Sequence, residues 1–219
     1  MTIRVLHVDD EPDIREVVEM SLGLDPGLSL HSVSSGGDAL YEVEMWPPDL
    51  ILLDVMMPVM DGPATLARLR STPKAVGIPV VFMTARAQTR ELEHFRSLGA
   101  AGVIAKPFDP MTLAVSVRGY LKATRLNDLR NNFLERTRAD AAVLSEKRVH
   151  LDGPDAGAAL EAIKSIAHGL AGASGIYGLD AIGREAATVE NAAVAALRGA
   201  DRKHLAQALD RLLACVAAS

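Results

Sequence analysis

The sequence predicts an open, doubly wound α/β sheet of five parallel strands, followed by an all-α four-helix bundle. Three observations predict it. In residues 1–121 short apolar runs alternate with amphipathic helical patterns, the signature of parallel strands joined by crossover helices. After Arg125 no strand pattern recurs and helical periodicity takes over. The chain is 49% hydrophobic but only 4% aromatic, so small aliphatic side chains must fill both cores.

The strand candidates are IRVLHV (3–8), LSLHSV (28–33), LILL (50–53), VVFM (80–83) and GVIA (102–105). Between them lie IREVVEMSLGL, GGDALYEVEM, TLARLRS and RELEHFRSLGA, each with one apolar face. Five β/α units in so short a stretch leave only brief connections. Beyond Pro110 no proline occurs up to Arg148, and Gly119 is the only glycine. Leu113, Val117, Leu121, Leu126, Leu129, Phe133 and Leu134 recur at helical spacing there. A joint helix is therefore expected over about 109–148, stiff rather than a flexible linker, between domains at 1–121 and 122–219. Helical patterns then run over 126–149, 155–176, 179–198 and 201–217. Asp155, Asp180 and Asp201 are placed as N-caps or first-turn acids. Four helices with short loops suggest an antiparallel bundle.

Charge narrows the function classes. The net charge is −5, divided as −6 over residues 1–121 and +1 over residues 122–219. Neither half has the basic footprint of a nucleic-acid binder. Cys215 is the sole cysteine, which excludes a disulfide framework and points to a reducing compartment. MTIRVLHVDD reaches acids too early for a signal peptide, and no apolar run approaches the roughly 20 residues of a membrane span. A cytoplasmic protein with no nucleic-acid or membrane partner is the expectation.

Polar residues at the C-terminal ends of the strands carry the chemistry, because open α/β sheets bind ligands there. The first strand runs into Asp9, Asp10 and Glu11, the third into Asp54, the fourth into Thr84 and the fifth into Lys106. One such residue alone would read as a helix cap or a solvated base. Four of five strand ends together read as a site. Hard oxygen ligands at Asp9, Asp10 and Asp54 suit Mg²⁺. Asp54 is then placed as a nucleophile for acyl-phosphate formation, its charge offset by metal and lysine. Lys106 and the Thr84 hydroxyl would stabilise the transferring phosphoryl oxygens.

VDDEP, LLDVMMPVMDG, MTA and KPF, in that order, resemble the receiver domain of two-component response regulators over about residues 1–121. The resemblance implies a flavodoxin-like fold, with Asp54 as phosphoacceptor and Asp10 as a direct Mg²⁺ ligand. It implies Asp9 as a ligand through water and the Met56 backbone carbonyl as a further ligand. It also implies Thr84 as a switch hydroxyl, Lys106 as the phosphate-binding lysine, a cis Lys106–Pro107 bond, and a loop shaped by Pro58 and Gly62. Val103 departs from the family, which usually has a switching aromatic side chain at that place.

In the second half, SIAHGLAGASGIYGL (165–179) holds four glycines around one histidine, although each interior glycine costs a helix about 0.8–1.0 kcal/mol relative to alanine. At about 100° per residue, Leu160, Ile163, Ala167, Leu170, Ala171 and Ser174 share a core face. His168 falls on the outward face with Glu161, Lys164, Gly172 and Gly175, so the glycines clear space beside it. Gly178 is placed as the helix end, and Gly169 has no assigned purpose. His7, His31, His94, His150 and His204 read as structural or incidental, with no zinc spacing among them. An exposed neutral imidazole, by contrast, is a competent nucleophile toward an acyl phosphate.

AHGLAGASGIYG resembles the core of histidine phosphotransfer (HPt) domains through His168, Leu170, Gly172 and Gly178, over about residues 126–219. Ala171 stands where many members have lysine, a departure that implies either slower transfer or that electrostatic role moved to Lys164. The two resemblances together imply a phosphorelay intermediate without a kinase ATP-binding domain. Its expected partners are a histidine kinase or other phosphohistidine donor, and receiver domains docking at His168. The alternative is a receiver whose bundle is a non-catalytic dimerisation or partner-binding module; homodimerisation stays open in either case. A DNA-binding output is disfavoured by the nearly neutral second half.

Overall fold

The computed structural model describes residues 2–85 and 88–219. The chain divides into two units, Met1–Arg125 and Leu126–Ser219. In the first, five strands are joined by helices: β1 (Ile3–Val8), α1 (Pro12–Gly23), β2 (Leu28–Val33), α2 (Gly36–Met45), β3 (Leu50–Asp54), α3 (Gly62–Arg70), β4 (Val80–Thr84), α4 (Thr89–Ser97) and β5 (Gly102–Ala105). The sheet is parallel throughout, with spatial order β2-β1-β3-β4-β5. The order reverses between β1 and β3, and that reversal opens a crevice at their C-terminal ends.

Strand alternation divides the core into two layers. Leu6, Val8, Ile51, Leu53, Val80 and Phe82 point toward Ala39 and Val43 of α2, Leu66 and Leu69 of α3, and Phe95 of α4. Val5, Leu50, Leu52, Val81 and Met83 point the other way, toward Val18 and Leu22 of α1 and toward Leu113, Val117 and Leu121. Those last three belong to α5 (Pro110–Val149), one uninterrupted 40-residue helix. Phe82 is fully buried and packs on Phe95 at 4.9 Å; truncating such a side chain typically costs about 3–5 kcal/mol.

The second unit comprises the later part of α5 with α6 (Ala156–Ser174), α7 (Asp180–Leu197) and α8 (Lys203–Ala217). Leu134 and Leu144 of α5 join Leu160, Ile163, Ala167 and Leu170 of α6, Ile182, Ala186 and Val189 of α7, and Leu205, Leu209 and Leu212 of α8 in one core. Ala193, Ala196 and Ala208 also belong to that core. Beyond α6 a single 3₁₀ turn, Gly175–Tyr177, leads to Gly178 at φ +67°, a left-handed position that favours glycine. Asp155 occupies the N-cap of α6 without a side-chain bond, Asp180 opens α7, and Asp201 accepts from the Lys203 amide at 3.0 Å. No described helix is long and apolar enough to cross a membrane.

Candidate functional site

Two places draw the chemistry-bearing residues together, one in each unit. In the first, parallel pairing aligns the ends of β1, β3, β4 and β5, so Asp9, Asp54, Thr84 and Lys106 meet at one rim. Asp9, Asp54 and Thr84 are buried, at 0, 5 and 4% exposure. The Lys106 ammonium bridges the two acids, donating to Asp9 Oδ2 at 2.7 Å and to Asp54 Oδ1. The second Asp54 oxygen accepts from the Met56 amide at 2.7 Å, and Asp9 Oδ1 accepts from the Glu11 amide at 3.0 Å. Burial alone would lower the Lys106 pKa, but hydrogen bonds and charge from Asp54 and Asp9 outweigh it and raise the value. Thr84 is tied to the lysine through the main chain, its carbonyl accepting from the Lys106 amide at 2.7 Å.

The loop after β3 is held by a close approach. A Cβ on Gly62 would collide with the Asp54 carbonyl oxygen and lie 2.9 Å from Val55 Cα. Only glycine lets this backbone return against the acid. The Gly62 amide uses the proximity to donate to the Val55 carbonyl at 3.0 Å. The Lys106–Pro107 bond is cis. Met56 is 77% exposed, and Asp10 is half-buried beside the crevice.

Two features of this rim, and a contact at the start of β5, lay outside sequence reasoning. Arg15 of α1 donates to the main-chain carbonyls of Asp9 (2.8 Å) and Asp10 (3.0 Å), fixing the turn that carries both acids. Its i+5 and i+6 spacing from those acids was the available signal, but many surface arginines share it. His7 is buried, with Nε2 3.8 Å from Asp9 Oδ2. Tyr120 of α5 donates its hydroxyl to the Val103 carbonyl at 2.9 Å and lays its ring over Gly102, so an aromatic group abuts β5 from α5. Among the described residues no three His, Cys, Asp or Glu side chains form a metal cluster by themselves. The Lys106 ammonium lies between two of the acids.

In the second unit, His168 projects from α6 with its side chain 77% exposed. Its Nδ1 donates to Glu190 Oε1 of α7 at 3.0 Å. A carboxylate on Nδ1 selects the tautomer with the proton there and leaves the lone pair on Nε2. A Cβ at Gly169 or Gly172 would meet nothing within 4 Å, so these glycines lower the surface beside the ring rather than admit a neighbour. Gly169 also borders a groove of about 250 Å³ with Phe133, Arg136 and Tyr177. Leu160, Ile163, Ala167, Leu170 and Ser174 are buried, whereas Ala171 is half-buried. Lys164 is paired with Glu161 at 2.6 Å. Glu190 was not anticipated, because an α6–α7 contact has no local sequence signature.

Comparison with known proteins bears on both places. Residues 5–118 match the family model described as response regulator receiver domain. The chain belongs to the response regulator receiver family. Its residues 128–219 match the model of the Hpt domain. The receiver region is 34% identical over 119 residues to Response regulator Rre1 of Synechocystis, covering 54% of this chain and 52% of that protein. It is also 34% identical over 128 residues to Response regulator MprA of Mycobacterium ulcerans, covering 58% and 54%. These matches thus span about half the length of the curated relatives. Among solved structures, chemotaxis protein CheY4 of Vibrio cholerae superposes with a TM-score of 0.52 at 29% identity, over 55% of this chain and 99% of that one. The receiver domain of a Luxo repressor protein from Vibrio parahaemolyticus gives 0.53 at 27%, over 59% and 97%. The five-stranded parallel sheet expected from the sequence is the fold these receivers share.

Proposed function

We propose that the chain is a two-component phosphorelay protein in which Asp54 accepts a phosphoryl group and His168 exchanges one with an aspartyl phosphate. The observation that carries this reading is the presence, in one chain, of a buried Asp54 bridged by Lys106 and an exposed His168 whose Nδ1 is held by Glu190. In the first reaction an Asp54 carboxylate oxygen attacks the phosphorus of a partner's phosphohistidine. The new O–P bond forms as the N–P bond breaks, and the imidazole leaves. Lys106 follows the transferring oxygens, and the Thr84 hydroxyl donates to another.

Asp9 and Asp54 are two buried carboxylates sharing one ammonium, and that surplus of hard oxygen donors fits a divalent cation such as Mg²⁺. Asp10, Asp9, Asp54 and the Met56 carbonyl would hold it, and when bound it supplies charge neutralisation for the phosphoryl oxygens. In the second reaction His168 Nε2 attacks the phosphorus of an aspartyl phosphate and the carboxylate leaves. The ring gains positive charge as the N–P bond forms, and Glu190 offsets it through Nδ1–H. The cleared surface around Gly172 fits docking of a receiver. A histidine kinase or other phosphohistidine donor is the partner at Asp54.

The test is incubation with a phosphorylated donor and Mg²⁺, followed by mass-spectrometric mapping of labile phosphate. Asp54→Asn should abolish label on the first unit, and His168→Gln should abolish label on the second. Intact transfer to and from the second unit in His168→Gln would overturn its assigned role.

A further inference from the structure

His7 is a cost that the fold has no structural reason to bear. Its ring is fully buried, and neither nitrogen has a hydrogen-bond partner among the described residues. It lies on the sheet face of Val5, where Leu52 and Val81 point toward α1 and α5. Valine or leucine would satisfy that layer. A buried polar atom left unsatisfied typically costs about 1–3 kcal/mol. Ser32, opposite His7 in the β1–β2 register, presents a third buried polar atom without a partner.

The placement of the ring answers the question. Its Nε2 lies 3.8 Å from Asp9 Oδ2, the oxygen that Lys106 now occupies at 2.7 Å. That gap is about 0.8 Å longer than a direct hydrogen bond. When Lys106 follows a phosphoryl oxygen at Asp54, Asp9 Oδ2 loses its donor. Resting on the proposed reading of this rim, we infer that His7 is a positioning residue that donates Nε2–H to Asp9 once Lys106 withdraws, holding the carboxylate oriented toward the cation.

The neutral imidazole has one donor and one acceptor. With Nε2–H directed at Asp9, Nδ1 carries the lone pair, and Ser32 stands opposite His7 in the strand register. Burial, followed by the charges of Lys106 and Arg15, keeps the ring unprotonated, with a pKa lowered to about 3. Donors that orient metal-binding carboxylates in this way are typically worth about 10- to 100-fold in metal affinity.

The experiment is calorimetric titration of the full chain with Mg²⁺ in the presence of beryllium fluoride, a phosphoryl analogue that draws Lys106 away from Asp9, alongside thermal unfolding without either. His7→Leu should bind Mg²⁺ about tenfold more weakly than wild type, while its metal-free Tm rises by a few degrees as the orphaned ring is removed. His7→Gln, which keeps a donor, should stay within about threefold of wild-type affinity. Wild-type affinity in His7→Leu would overturn the inference, as would an equal loss in His7→Gln, which would make ring shape the cause. A wild-type chain that binds no Mg²⁺ would instead overturn the reading of the rim itself.

Discussion

The two candidate sites solve opposite problems. Asp54 is an acid hidden from water, and its burial is tolerated because Lys106 and the Met56 amide compensate both oxygens. His168 is a base left in water, oriented by a single carboxylate, Glu190, across from it. A buried charge must be matched by its own fold before any partner arrives. An exposed neutral ring needs only one donor–acceptor contact and an unobstructed approach. Substitutions at the first site should therefore damage folding and chemistry together, while those at the second should separate them.

The strongest way to break this contrast is Lys106→Met. It leaves Asp9 and Asp54 buried without their cation, and loss of one partner of a buried ion pair typically costs about 3–5 kcal/mol. Urea unfolding at pH 7 measures it; a loss under about 1 kcal/mol would show that the rim is far wetter than its burial implies. The pH dependence has a definite sign. The Lys106 pKa is raised above its ordinary 10.5, so its contribution is fully present below about pH 10.5. It disappears as pH rises through the higher folded value. On the alkaline side, the gap between wild type and Lys106→Met should accordingly stay open to about pH 10.5 and narrow above it.

Glu190→Ala sharpens the other side. Losing one charge-assisted hydrogen bond is worth about 1.4 kcal/mol, so phosphotransfer through His168 should slow about tenfold. The unfolding midpoint of the chain should barely move. Gly172→Ala tests the smallest effect. Its Cβ meets nothing in the protein, so helix propensity should add about 0.8–1.0 kcal/mol of stability. Phosphotransfer from a docked receiver should slow, because the methyl group stands beside His168; unchanged transfer would mean that the glycine does not serve docking.

Sequence periodicity and strand-end chemistry were enough to read the sheet, since alternation and turn residues are local properties. The outward face of His168 was legible for the same reason: 3.6-residue geometry places it away from Leu160, Ile163 and Leu170, and those three are buried. Contacts between elements distant in sequence were not legible. Arg15 reaching the Asp9 and Asp10 carbonyls, Tyr120 capping the Val103 carbonyl, and Glu190 meeting His168 across 22 residues all depend on packing. His7 shows the complementary failure. In a strand pattern it reads as incidental, and only the absence of a partner for its buried ring makes it informative.

One main-chain bond described above couples two groups usually considered separately. The Lys106 amide donates to the Thr84 carbonyl, so hydroxyl and ammonium sit on adjoining rungs of the same ladder. While that bond holds, β4 and β5 cannot slide past one another, so the two tips keep a fixed spacing. The pair is thus a lever with two ends rather than two latches, and a substitution that loosens that rung should desynchronise them while leaving each side chain chemically intact.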